Sequence, residues 1–334
     1  MYKSMRHLRW PARPLNLALL AAGVCGLAAV AQTRINASLG ERISSSVVAA
    51  LISFGVGFLV LLILITARAS TRASASGLWR TCARWELLSG GLIGAAFVTA
   101  SIYATQQVGV AVYIVVAVTG QVFGGLIVDQ TSLSAAGKVP ITTARVAAAV
   151  LAALGAILTQ LGKPLGDLTL LPIFAAFATS ALMPLQIAIN ARIGQACGSS
   201  QVAAMVTFAV GTVGLAVIVT PLAGFGFGSL SAFPLEPWLY LGGLLGAAFI
   251  TLLAWVAQRV DVLRLGLLFI GGQLLGGLAA DAFIPGGPGV SAYVVVGSGI
   301  TLAAVGVAGR SHRGRAETSR SYRKTPSQQD CGKY

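Results

Sequence analysis

The side chains of this sequence that could act on another molecule are few, and most are amides. Gln32 and Asn36 stand four apart, as do Gln186 and Asn190. Gln121 and Gln273 each open a Q-x2-G-G stretch inside a long apolar run. An amide donates and accepts hydrogen bonds without carrying charge. It therefore suits recognition of a neutral or zwitterionic solute, or the bonding of one helix to another. A spacing of four puts each Gln/Asn pair on one helix face. The asparagines have a plainer reading as well, since Asn suits a left-handed position where a helix ends. Tyr103 and Trp255 sit near the ends of apolar runs, where they would stack on a solute, gate a pathway or anchor a helix at a membrane interface. Asp129 and Asp281 also lie near the ends of apolar runs. Each reads as a solvated helix-end charge or as an ion-coupling group. A hydrolytic centre is not expected. His7 and His312 both fall near the chain ends, no HExxH occurs, and Cys25, Cys82, Cys197 and Cys331 have no ligand-like spacing. Neither a metal site nor a cofactor is expected, and the chain does not read as an enzyme.

The elements that must carry these residues are apolar helices. Of 334 residues 56% are hydrophobic and only 10% charged, with a mean hydropathy of +0.84. A soluble domain carries about 25% charged residues, so this chain lacks the charge to cover a watery surface. A bilayer core needs about 20 apolar residues per helix. Ten segments qualify: Leu15–Thr33, Val47–Ala67, Leu87–Thr105, Val108–Val128, Thr143–Leu161, Leu168–Asn190, Gln201–Pro221, Trp238–Gln258, Leu263–Phe283 and Ser291–Ala308. Pro184 predicts a kink in the sixth, just before Gln186.

The 23 Lys and Arg residues set the orientation. With both termini cytoplasmic, only Arg34, Arg42 and Lys163 fall on the outer side. That is the bias the positive-inside rule requires. It absorbs most of the +14 net charge without any nucleic acid. The expected partner of the basic residues is anionic lipid at the cytoplasmic face.

The sequence is also written twice. Gln32–Gly57 lies over Gln186–Gly211 at a shift of 154: Gln32 meets Gln186, Asn36 meets Asn190, Gly40 meets Gly194, Ser53 meets Thr207, Phe54 meets Phe208 and Gly57 meets Gly211. At a shift of 152, "GLIGAAFVT" from Gly91 lies over "GLLGAAFIT" from Gly243, and "GQVFGGLIVD" from Gly120 lies over "GQLLGGLAAD" from Gly272. Tyr103 then meets Trp255, Gln106 meets Gln258 and Asp129 meets Asp281. Apolar helices match easily at Ala, Leu and Gly. Ordered matches of Gln, Asn, Gln, Gln and Asp across four helices do not arise that way. Five helices is an odd number, so the second half enters the membrane upside down relative to the first. This is the inverted repeat of many secondary transporters. The copy also marks the first segment as a retained helix rather than a signal peptide. The organisation expected is a basic stretch 1–14, repeats over 15–161 and 162–309, and a basic tail 310–334.

Ten helices arranged as five plus five resemble the bacterial drug/metabolite transporter superfamily. The Q-x3-N-A motif closing the first helix of each half, followed by "SFGVG" or "TFAVG" in the next, resembles its YdcZ-like inner-membrane exporter branch. The resemblance implies a bacterial inner-membrane protein whose central cavity is lined by the first, third and fourth helices of each half. The function expected is a secondary transporter exporting a small neutral, zwitterionic or amphipathic organic molecule by alternating access; an uncoupled facilitator is the alternative. Gln32, Asn36, Gln121, Gln186, Asn190, Gln273, Tyr103 and Trp255 are the candidate substrate contacts, with Asp129 and Asp281 for ion coupling. Besides the solute and the lipid, a second copy of the chain, as a homodimer, is a candidate partner.

Overall fold

The structure, a computed structural model, describes residues 12–76, 78, 82–131, 141–159, 161, 170–224, 233–257, 262–283, 290–304 and 306. The side chains of residues 12–16, 18–19, 254–255, 257 and 262–267 lie outside that description, and so do the basic stretch before Ala12 and the tail from Arg310. Among the described residues all regular structure is helical. The elements are α1 (Ala12–Ile43), α2 (Ser46–Thr66), α3 (Ala69–Ser76), α4 (Arg84–Val108), α5 (Val110–Val128), α6 (Thr143–Leu158), α7 (Leu170–Ala181), α8 (Met183–Cys197), α9 (Ser200–Gly224), a 3-10 turn Pro237–Tyr240, α10 (Leu241–Ala257), α11 (Val262–Phe283) and α12 (Ala292–Ala304). Five of these are long and apolar enough to cross a bilayer: α2, α4, α5, α7 joined with α8, and α9. Shorter apolar helices supply α6, α10, the later part of α11, and α12. Large apolar side chains that point away from the bundle, such as Leu20, Ile63, Phe174 and Val217, are more than 60% exposed. Such a surface suits lipid and not water.

Two helix ends differ from the expected ones. The first segment, expected to close at Thr33, runs on to Ile43. The sixth, expected to close at Asn190, breaks at Leu182 and runs on to Cys197. The break has the expected cause: Pro184 falls in the first turn of α8, where a missing N–H is tolerated. Asn36 and Asn190 therefore end no helix. The real ends are the same turn built twice. Ser44 (φ 56°) and Gly198 (φ 69°) are left-handed. The next amide reaches back across the turn, Ser45 N to Gly40 O at 3.0 Å and Ser199 N to Gly194 O at 2.9 Å. This is the Schellman closure. Ser45 and Ser199 then cap the following helices through Val48 N and Val202 N.

The halves meet along their repeated glycines. The rings of Phe54 (α2) and Phe208 (α9) lie 5.0 Å apart. A Cβ on Gly57 would strike the Phe208 ring, and a Cβ on Gly211 would strike the Phe54 ring. Each residue here contacts the copy of its own partner, which is the self-complementary pattern of a two-fold axis. The same exchange recurs at α1 and α7. Gly272 of α11 packs on the backbone of Gly23, and Gly120 of α5 on the backbone of Phe177. The first helix of each half is thus held by helices of the other half.

Gly57→Ala or Gly211→Ala should each lower stability by about 1–3 kcal/mol, because the added methyl has no room. Gly55→Ala, whose Cβ meets nothing within 4 Å, should be neutral. Thermal midpoints of the purified variants in detergent check this, and equal midpoints for all three would contradict the crossing described.

Candidate functional site

The two amide pairs occupy matched seats. Asn36 Nδ2 donates to Ser53 Oγ at 3.1 Å, and Asn190 Oδ1 accepts from Thr207 Oγ1 at 2.9 Å. In each half the asparagine thus ties the first long helix to the second. Each amide pair also lies over a small-xxx-small stretch of the other half. Asn36 sits directly on Gly242, and a Cβ on Gly246 would lie 2.7 Å from Gln32 Nε2. A Cβ on Gly90 would lie 3.1 Å from Asn190 Oδ1, and one on Gly94 2.6 Å from Gln186 Nε2. The glycines and the amides are one device, in which bare backbone gives a polar side chain space to lie between helices. Asn36, Gln32 and Gln186 are buried and Asn190 is half-buried. Among the described residues Gln186 Oε1 keeps no hydrogen-bond partner, and neither does Gln273 Oε1 on α11. Its copy Gln121 on α5 is half-buried. An unpaired carbonyl oxygen in a buried site is costly, so these amides are the strongest candidates for contact with something else.

The repeat-matched aspartates are in unlike places. Asp281 is 5% exposed, which corrects its reading as a solvated helix-end charge. Its carboxylate accepts from Val110 N at 3.1 Å and Ala111 N at 2.8 Å. Those two amides open α5, whose preceding Gly109 (φ 85°) has no side chain to cap them. The buried charge is held because free N–H groups and the positive end of a helix face it. Asp129 closes α5 at its other end and pairs with Arg145 of α6. The surroundings differ in the same sense. A Cβ on Gly277 would lie 3.2 Å from Ala111 Cα, whereas one on the matching Gly125 would meet nothing within 4 Å among the described residues. Residues Val110–Val118 are all buried, while Gln121, Val122 and Phe123 are only partly so. Helix α5 is thus buried along its first part, at the Asp281 end, and only partly buried nearer Asp129.

Several partners were not legible from residue type alone. Gln106 Nε2 donates to Ala37 O and its Oε1 accepts from Ser46 Oγ, both at 3.0 Å, binding α1, α2 and α4 together. Its match to Gln258 was the available signal, although Gln258 lies outside the described residues. Tyr103 and Gln106 border an open cavity of about 420 Å³ with Gly40, Glu41 and Ser44–Ser46. The backbone of Trp255 is helical, but its side chain lies outside the described residues. Glu86 at the start of α4 pairs with Arg192 of α8 at 2.9 Å, and Arg42 of α1 with Glu236 at 3.0 Å. Each pair joins one half to the other, with residues the repeat does not match. Beside the first pair, the Sγ atoms of Cys82 and Cys197 stand 3.8 Å apart, a proximity that scattered sequence positions did not reveal. Among the described residues no three His, Cys, Asp or Glu side chains gather as a metal site would require.

Residues 17–158 and again residues 171–308 match the model of the family described as "Putative inner membrane exporter, YdcZ". The chain belongs to this family. No curated protein matches it. The two matches fall on the two sequence copies, so the family's unit is one half and the protein carries it twice. An all-helical inner-membrane transport protein accounts for the lipid-facing apolar surface and for polar groups gathered between helices rather than on the outside.

The glycine seats and the amides should prove interdependent. Gly242→Ala alone should cost about 1–3 kcal/mol. Combining it with Asn36→Ser, which frees the space, should cost less than the sum of the two single changes by at least about 0.5 kcal/mol. A double-mutant cycle of detergent-induced unfolding measures the coupling, and strict additivity would separate the two features.

Proposed function

We propose that the protein exports a small neutral, zwitterionic or amphipathic organic solute by alternating access. Ten helices form two inverted five-helix repeats, with both termini cytoplasmic. The observation that carries this reading is the unlike packing of matched residues. Gly277 is buried against α5 while Gly125 is half-buried, and Asp281 is buried on a helix start while Asp129 is held by Arg145. In an inverted repeat the two copies lie at opposite mouths. One conformation then closes the first mouth and opens the second, and exchanging the copies' conformations gives the opposite state. The lysine and arginine bias puts the Asp281 end outside and the Asp129 end in the cytoplasm, so the conformation described faces inward, ready to load solute for export.

The pathway runs between the halves. Gln121, Gln186 and Gln273 supply uncharged contacts within it, and Gln32 the matching one at the outer mouth. Asn36 and Asn190 hold the helices that carry these glutamines. Tyr103 and Trp255 stand near opposite mouths. The scarcity of ionisable groups favours a solute without fixed multiple charge, because a strongly charged one would need a compensating partner at this depth. The carboxylates of Asp129 and Asp281 are the groups through which an ion gradient would act.

The test uses single cysteines, Gly125→Cys and Ile114→Cys, placed in a chain whose own four cysteines are replaced by alanine. A membrane-impermeant maleimide should label Gly125→Cys quickly from the cytoplasmic side and Ile114→Cys slowly from either side. Equal labelling of both would overturn the reading. A panel of metabolites and organic cations should contain solutes that raise the thermal midpoint of the wild type but not of Gln273→Ala. In liposomes those solutes should accumulate against their gradient when a proton or sodium gradient is imposed. Flux that only follows the solute gradient would make the protein a facilitator.

A further inference from the structure

We propose that Cys82 and Cys197 are a redox modification site, where a hydroperoxide makes a reversible disulfide that ties one half of the protein to the other. Their Sγ atoms stand 3.8 Å apart, although 115 positions separate the residues in the chain. The sulfurs are in van der Waals contact, and no disulfide joins them. A disulfide bond is about 2.05 Å long. The sulfurs therefore need to close by less than about 2 Å, a distance within reach of rotation about the Cα–Cβ bonds. Ordered neighbours hold the pair in place. Cys82 lies just before α4, and its amide donates to Leu78 O at 3.1 Å. Cys197 is the last residue of α8, where the left-handed Gly198 closes the helix. Glu86 of α4 pairs with Arg192 of α8 at 2.9 Å and so joins the same two elements. Both cysteines also pack against one apolar cluster, which includes Leu87 of α4 with Ile189 and Ile193 of α8. The contact is thus set by the packing of α4 on α8. Both cysteines are half-buried, so a small oxidant can reach them.

The repeat confines the pair to one mouth. At the shifts of 154 and 152, Cys197 falls on Ile43 and Cys82 on Pro234, so the matched place at the other mouth has no thiol. The lysine and arginine bias puts Cys82 and Cys197 at the cytoplasmic face. Cellular thiols reduce disulfides there, so one that forms is transient and serves redox sensing rather than permanent bracing. The steps balance with the hydroperoxide as oxidant. One thiolate attacks the O–O bond, keeps one oxygen as a sulfenic acid, and releases the rest as an alcohol, or as water when the oxidant is hydrogen peroxide. The second thiol then attacks that sulfur and displaces its oxygen as water. The two sulfurs give up two electrons, and the O–O bond takes them. Thiol exchange with a reductant restores the pair. The link closes a loop that spans both halves and so stabilises the fold. Its effect on transport rests on the alternating-access reading, in which a covalent tie between the halves at the cytoplasmic mouth slows their rearrangement.

The experiment treats the purified full chain, with Cys25→Ala and Cys331→Ala so that only the pair remains, with hydrogen peroxide in detergent. Mass spectrometry should find the peptides of Cys82 and Cys197 linked within one chain. The thermal midpoint should rise by about 5–10 °C, and dithiothreitol should reverse both changes. Cys82→Ser and Cys197→Ser, made singly, should each abolish the link and the rise; if one variant does not fold, the other decides. Peroxide that leaves the two thiols unlinked, carries them only to sulfinic or sulfonic acids, or joins separate chains to each other sinks the proposal. A second arm measures transport in liposomes, using solutes that raise the midpoint of the untreated protein. Peroxide should slow their flux through the wild type and leave that through Cys82→Ser unchanged. A disulfide that forms without slowing flux refutes the brake on transport and upholds the modification site. Untreated protein that moves no solute counts against the transporter reading, while the mass and midpoint results still decide the disulfide.

Discussion

Everything in this molecule is arranged around one constraint: within a bilayer, a polar group must find its partner inside the chain. Water is not there to take the hydrogen bonds of a helix start, an amide or a carboxylate, and each unpaired group costs free energy comparable to a lost bond or more. The answer here is to strip side chains from one helix so that polar groups of another can lie in the gap. Gly242 and Gly246 take Asn36 and Gln32, and Gly90 and Gly94 take Asn190 and Gln186. Gly109 leaves the start of α5 bare so that Asp281 can cap it. Glycine is abundant because close backbone approach does the work that water or bulky packing does in soluble proteins.

The same constraint explains why the two halves interlock rather than stand side by side. Each glycine seat lies in one repeat and its occupant in the other, although Asn36 and Asn190 also bond Ser53 and Thr207 of their own halves. The Phe54–Phe208 contact, with Gly57 and Gly211 beneath the rings, sits where the halves trade places. A protein built this way can rearrange by exchanging equivalent contacts between its halves, since what one copy gives up the other can form. That is a physical route to two conformations of similar free energy, which a transporter needs.

Ion pairs mark the helix ends without following the repeat. Arg42–Glu236 and Glu86–Arg192 each join a helix end of one half to a helix end of the other, yet none of the four residues has a copy of the same charge. What is kept is the place to be clamped, and the chemistry there is free to differ. Glu86 is buried beneath an exposed Arg192, whereas Arg42 and Glu236 are both substantially exposed and contribute little. The end that holds Glu86 and Arg192 also brings Cys82 and Cys197 together.

Hydropathy and repetition are properties of the chain read in order, and the sequence alone was enough for them. It determined that the protein lies in a membrane, that it is helical, that it is written twice, and that Gln, Asn and Asp are the polar types to watch. The family follows from the same residues. Helix ends were less legible: a polar shoulder at Gln32 and Asn36 looks like a terminus, although the helix runs to Ile43 because Ser53 and Gly242 answer the amide. Partners more than 150 residues away, such as Val110 for Asp281, cannot be read from a neighbour list. Above all, the sequence treats Asp129 and Asp281, or Gly125 and Gly277, as equals. Only the tertiary structure separates them, because the groups that meet them come from other elements: Asp281 meets the start of α5, while Asp129 meets Arg145 of α6.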